Sequence, residues 1–245
     1  MQKKIQFTGI VLRNLDYQDN AQIIYVLTKE NIESILVRGA KKIESKTRPL
    51  AQIITKIKGL RTEGKSFSTL TEGLVENNFN AIKEDFVKTQ ATMCIMEKIY
   101  HLFPNITMTE KNYDFLESIL NIMENTNYPK SLLLLFEVKF WYLLGINPNF
   151  NTCTNCGKEI EAGFLHVDEG GLICYDCAPS FECDLNFECS KIIKYLYYIK
   201  MEKIDDHFLS LIEAFYEPIT KVVDKYYEKY LDFYNKSKEI FYKII

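Results

Sequence analysis

Glycine is scarce in this sequence, ten residues in 245, and proline is scarcer at six. A chain so poor in both has little room for disordered or low-complexity linkers. Histidine occurs only at positions 101, 166 and 207, which offers little for acid–base chemistry by imidazole. Long apolar runs are also missing. The longest block, LLLLFEVKFWYLL from Leu132 to Leu144, carries Glu137 and Lys139 and falls short of the ~20 residues that cross a bilayer. The opening MQKKIQFTGIVLRNLDY has no signal-like apolar stretch before Arg13 and Asp16, so a cytoplasmic protein is expected, with thiols kept reduced unless a metal holds them. Neither G-x-x-x-x-G-K-[ST] nor H-E-x-x-H occurs, which removes the phosphate loop and the zinc-protease helix. The 33 acidic residues single out no catalytic pair. No enzyme is expected.

What is present falls into two parts of opposite charge. Residues 1–80 hold 13 Lys+Arg against 8 Asp+Glu, and the remainder holds 17 against 25. Only the first part suits a polyanion. It reads as β: KIQFTGIVLRNL, QIIYVLTKE, IESILVRGA, AQIITKIKGL and FSTLTEGLVEN are short runs rich in Ile, Val, Thr and Phe, separated by turn residues. Five such strands without a long helix predict a small closed barrel of the OB kind, although spacing alone fits an SH3-like barrel as well. From about Asn80 the period becomes helical, with Ile82, Phe86, Thr89, Met93, Met96 and Tyr100 on one face. Thr107 and Glu110 have capping-box spacing. The Leu132–Leu144 block is apolar on every side and predicts the central helix of a bundle, ended by Gly145. Helices are expected again over 187–201 and from 206 to about 233, the last kinked at Pro218.

Four of the seven cysteines form two identical pairs, Cys153–Cys156 and Cys174–Cys177, with 17 residues between them. That spacing is a zinc ribbon's. Each Cys-x-x-Cys knuckle turns two thiolates toward one ion, and Gly170-Gly171 can fold the second pair back onto the first. Four thiolates around Zn²⁺ leave no open position, so such a site is structural. Two disulfides, an iron–sulfur cluster, or His166 in place of one cysteine are the weaker readings. Cys94, Cys183 and Cys189 read as ordinary thiols.

The segment RGAKKIESKTRPL carries Arg38, Lys41, Lys42, Lys46 and Arg48 against Glu44 alone, with Lys56 shortly beyond. It reads as a mobile loop at the barrel rim whose charges suit phosphates. Arg13, Lys58 and Arg61 are expected to extend the patch. Phe7, Tyr17, Tyr25 and Phe67 are the candidates for base stacking.

Taken together, TGIVLRNLDYQDNAQIIYVLTKENIESILVRGAKK, FEVKFWYLLGINPNFNTCTNCG and GGLICYDCAP resemble the bacterial recombination-mediator family RecO along nearly the whole chain. The resemblance implies an N-terminal OB-fold over 1–80 and a helical domain over 81–245 with a zinc ribbon at 150–180. It implies a non-catalytic protein of recombinational DNA repair that binds single- and double-stranded DNA and anneals complementary strands. Its implied partners are RecR, the acidic tail of single-strand-binding protein and, indirectly, RecA, in the cytoplasm at the nucleoid. The positions matching the family's basic surface are Arg13, Arg38, Lys41, Lys42, Lys46 and Arg48. The competing expectation is a zinc-stabilised protein–protein adaptor that does not touch DNA. A Cys₄ lid of similar spacing occurs in adenylate kinases, but the phosphate loop they need is missing.

Overall fold

The computed structural model describes residues 3–64 and 66–244. The chain divides into two compact units, Met1–Asn125 and Thr126–Ile245. The expected barrel boundary at 80 lies inside the first of them.

Five strands open the first unit: β1 (Lys4–Tyr17), β2 (Ala21–Leu27), β3 (Ile32–Val37), β4 (Lys56–Thr62) and β5 (Ser68–Asn77). They pair in the order β1-β2-β3-β5-β4 and back to β1. All pairings are antiparallel except β3–β5, where Ile35 meets Ser68 and Leu36 meets Thr69. This short parallel seam closes the ring expected of an OB-fold. Alternation supplies the interior: Phe7, Val11, Ile24, Val26, Ile35, Val37 and Ile57 pack as one core. The expected fourth strand starts late. Its first residue, Ala51, instead ends a turn of 3₁₀ helix at Pro49–Ala51, and Ile54 then takes a left-handed conformation (φ 55°). Leu50, Ala51 and Ile54 are buried, so this apolar run closes a barrel end rather than alternating along a strand.

Helices α1 (Asn80–Glu84), α2 (Phe86–Leu102) and α3 (Glu110–Asn125) complete the unit. The single helix expected from Asn80 is broken at Asp85, whose carboxylate accepts the Lys88 N–H as an N-cap. The break rotates the buried face onto Ala91, Cys94, Ile95, Ile99 and Leu102, leaving Phe86 exposed. Helix α3 is capped by Thr109, which accepts the Asn112 N–H at 3.2 Å, not by Thr107.

The second unit is built around α4 (Pro129–Leu144), which is buried from Ser131 through Val138 and again at Phe140, Trp141 and Leu144. Each fully covered leucine or phenylalanine there contributes about 1.5–3 kcal/mol. Gly145 ends the helix in the left-handed region (φ 72°), as expected. Around it stand α5 (Phe187–Tyr198), α6 (Asp206–Glu213), α7 (Tyr216–Leu231) and α8 (Lys236–Tyr242), with the hairpin β6 (Phe164–His166) and β7 (Gly171–Ile173). The long final helix expected from 206 is two helices. The break falls at Ala214–Phe215, and Pro218 sits in the first turn of α7, where its missing N–H removes no helical bond. No described helix is long and apolar enough to cross a membrane.

Lys139 lies half-buried on α4 and donates to the carbonyl oxygens of Ile199 and Tyr197, at the end of α5. Burial brings its pKa from the usual 10.5 down to about 8. Between those values the unfolded chain binds the proton and the folded one does not, so stability at this position rises with pH across that window. Urea unfolding of the protein and of Lys139→Met at pH 7 and pH 9.5 should therefore show the difference moving in favour of lysine at the higher pH. A difference independent of pH would contradict this.

Candidate nucleic-acid interface and metal centre

The basic segment follows β3 and winds rather than hangs. Backbone bonds run Lys42 to Gly39, Ser45 to Lys42, Arg48 to Ser45 and Ala51 to Arg48, each N–H donating to the earlier carbonyl at 3.1–3.2 Å. Thr47 Oγ1 donates to the Arg38 carbonyl at 2.8 Å and lies 2.8 Å from Ser45 Oγ. Ala40, Leu50 and Ala51 belong to the barrel core. The segment is therefore a plug with an apolar underside, and the mobile loop expected from sequence is corrected to a series of fixed turns. Because the underside is spent on the core, the long side chains face solvent: Arg38, Lys41, Lys42, Lys46 and Arg48 are all exposed. Lys41 pairs with Asp16 at 2.8 Å, tying the plug to the end of β1, and it holds the Asp16 carboxyl below its usual range. Arg38, Lys42, Lys46 and Arg48 form no ion pair among the described residues.

The remaining cations are placed differently. Arg13 stands on the barrel wall beside α2, its guanidinium 5.2 Å from the centre of the Tyr100 ring. It lies three positions before Asp16 along β1, about 10 Å at the strand rise. Lys58 pairs with Glu76 at 3.3 Å, and Arg61 with Glu33. Lys56 is held by Glu117 at 2.5 Å. Those three are engaged with acids, so the expected extension of the patch through Lys58 and Arg61 is not supported. Of the aromatic candidates, Phe7 fills the barrel. Tyr25 packs edge-on against Tyr100 at 5.1 Å. Tyr17 and Phe67 form a half-buried edge pair, 5.9 Å between ring centres. Sequence reading missed the holding role of Ser45 and Thr47. Their signal was hydroxyl residues inside a charged loop, a common turn-forming pattern.

In the second unit the two cysteine pairs converge as their spacing required. The four sulfurs lie within 4.8 Å of one another, and no other metal-ligating cluster occurs among the described residues. Cys156 and Cys174 sulfurs are 3.9 Å apart, close to the ~3.8 Å edge of a tetrahedron with metal–sulfur bonds of ~2.3 Å. The first knuckle is closed by Gly157, whose N–H reaches the Cys153 carbonyl at 2.9 Å and whose φ of 75° favours glycine. In the second, the Ala178 N–H reaches the Cys174 carbonyl at 2.9 Å. The Cys174 N–H also points at the Cys153 sulfur, 3.3 Å away. Burial raises the Cys153 thiol, but backbone N–H groups of Cys156, Cys174 and Asn155 outweigh it and bring it down to about 6. Such a sulfur is ready to bind a cation as thiolate. Ile173, Ile160, Ala178 and Phe181 pack around the cluster. His166 is not part of it: its Nδ1 accepts the Glu169 N–H at 3.2 Å in the hairpin turn. Seven thiols are present and none is bridged. The donor set fits one metal ion held by Cys153, Cys156, Cys174 and Cys177.

One chain thus joins a closed five-stranded barrel carrying a cationic plug to a helical unit bearing a four-thiolate site. Similarity to known proteins identifies the family. Residues 1–79 match the family described as Recombination protein O N terminal, and residues 83–239 match Recombination protein O C terminal. The DNA repair protein RecO of Bacillus cytotoxicus is 27% identical over 237 residues, covering 94% of this chain and 93% of that protein. Those of Bacillus cereus strain AH187 and Bacillus anthracis are 26% identical over the same shares. The chain belongs to the RecO family.

Proposed function

We propose that this protein binds single- and double-stranded DNA through the barrel plug and anneals complementary strands during recombinational repair, without catalysing a reaction. The observation that carries the reading is the plug itself. Four cations without acidic partners, on a segment fixed by its own turns and anchored by a buried underside, present charge to phosphates with little further ordering needed on binding. Annealing brings two polyanions together, and sequence-blind phosphate contacts serve that purpose. Arg13 and Lys41 belong to this interface as its outer members, the first on the adjoining wall and the second shared with Asp16. Tyr17 and Phe67 offer ring faces for unstacked bases. Family membership supports the wider role: assisting RecA loading onto DNA covered by single-strand-binding protein, with RecR and that protein's acidic tail as partners, in the cytoplasm at the nucleoid. The ion in the thiolate site is read as one structural Zn²⁺. Its four sulfurs complete a tetrahedron, so it holds the two knuckles together and supplies no reactive position.

The test is the salt dependence of binding. The variant with Arg38, Lys42, Lys46 and Arg48 all changed to alanine should bind every DNA sequence more weakly. The slope of log affinity against log salt should shrink by roughly 0.9 for each phosphate no longer neutralised on duplex DNA, and by roughly 0.7 on single strands. Unchanged affinity and slope, measured by electrophoretic mobility shift or fluorescence anisotropy at several salt concentrations, would sink the proposal. So would a loss confined to particular sequences.

A further inference from the structure

A cavity of about 740 Å³ lies in the first unit, between the barrel wall at Ile5–Thr8 and helix α3. That volume falls within the usual range for small-molecule sites. Tyr113 lines it, is 2% exposed and has a hydroxyl with no hydrogen-bond partner among the described residues. A buried hydroxyl left unpaired is costly unless something else meets it. Lys29, Lys56 and Arg61 also line the cavity, but each is already held by an acid. Lys29 pairs with Glu110, Lys56 with Glu117 and Glu76, and Arg61 Nη2 donates to Glu33 at 2.7 Å. Two lining acids, Glu30 and Asp114, form no ion pair among the described residues.

The unused capacity of this cavity is thus negative and rich in acceptors. An anion entering it would have to displace a carboxylate from a paired cation. A bare metal ion is not favoured either, since these carboxylates do not form a ligand cluster among the described residues. We infer that the cavity binds an organic cation, an ammonium or guanidinium group on an aliphatic stem. Asp114 and Glu30 receive its charge at the mouth, and Tyr113 meets its donor or its stem within. The phenol stays protonated, because burial and the nearby Glu117, Glu76 and Asp114 push its pKa up. The same chemistry comes from two sources: a free polyamine, or a lysine or arginine side chain of another protein.

Calorimetric titration of the full-length protein with spermidine and, separately, with a short acetylated Arg-Lys peptide distinguishes them. Saturable binding of spermidine identifies the free amine. Saturation by the peptide alone identifies a partner's side chain. In either case Asp114→Asn should weaken binding about tenfold, as expected when one hydrogen bond to a charged group is removed. Tyr113→Phe should weaken it by a smaller factor, and circular dichroism should confirm that both variants are folded. Binding that is indifferent to both substitutions would overturn the inference, as would no saturable binding of either probe.

Discussion

Cys153→Ser is expected to abolish binding of the metal ion and to lower the melting temperature of the protein by the largest margin of any single thiol change. The hairpin strands have three residues each and are anchored by the buried Leu165, Leu172 and Ile173 and by Lys194, which donates to the Phe150 and Glu161 carbonyls. Around the sulfurs the support is thinner, Ile173 and a few partly covered neighbours. Metal binding is worth about 10–16 kcal/mol in isolated zinc-finger peptides at neutral pH, so a metal held there would supply much of the order of the two knuckles. Cys153 is the most consequential of them, being 1% exposed and receiving the Cys174 N–H. Serine there removes a thiolate and leaves a buried hydroxyl beside the remaining three. Elemental analysis should fall from one equivalent of metal to near none, and hydrogen exchange should accelerate over residues 150–178. Chelation of the unmodified protein should reproduce both changes. Cys183→Ser, outside the ligand set, should leave the metal in place. A Cys153→Ser protein with full metal content and an unchanged melting temperature would refute this account.

The ribbon was also the most legible part of the sequence, because its information is local. Two Cys-x-x-Cys pairs and a Gly-Gly turn define a site whose geometry hardly depends on the rest of the chain. The barrel strands were legible for the same reason, through alternation and turn residues, with one failure at residues 51–55. There the apolar residues belong to a plug, and a plug needs no period. Helix breaks were invisible where the hydrophobic spacing continues through them. Asp85 interrupts one helix by a side-chain cap, and Ala214–Phe215 interrupts another without any proline or glycine. Helix α8, seven residues long, is too short for a period to announce it. The cations of the plug can be counted in the sequence, but the count does not tell that four of them lack acidic partners among the described residues while Lys41 has Asp16. Arg61 and Lys58 looked equivalent to Arg38 in sequence, and only the neighbouring strands reveal that Glu33 and Glu76 engage them.

Least visible of all was the charge inside the helical unit, where Lys238→Ala is expected to destabilise the protein by about 3–5 kcal/mol, the usual result of stranding a buried ion. Lys238 on α8 is 2% exposed and donates to Glu137 Oε2 at 2.7 Å and to Asp224 Oδ1 at 2.6 Å. Glu137 belongs to the most apolar helix of the chain and is wholly buried. It lies 101 residues from its lysine, a separation no sequence pattern reports. Burial alone would lower the Lys238 pKa, but the charges of Glu137 and Asp224 more than compensate and hold it above the usual lysine value. The Tyr227 hydroxyl adds a bond to the Glu137 carbonyl at 2.7 Å, so α4, α7 and α8 meet at one ionic node. If the loss in Lys238→Ala comes from the uncompensated Glu137 carboxylate, then removing the carboxylate as well should recover much of it. The double variant Glu137→Leu with Lys238→Met keeps the volume and leaves only Asp224, which is partly exposed and still accepts from the Tyr242 hydroxyl. Its denaturant midpoint should lie well above that of Lys238→Ala and near that of the unmodified protein. A double variant as unstable as the single one would mean that the pair contributes net stability, and that attraction between these charges exceeds the cost of taking them out of water.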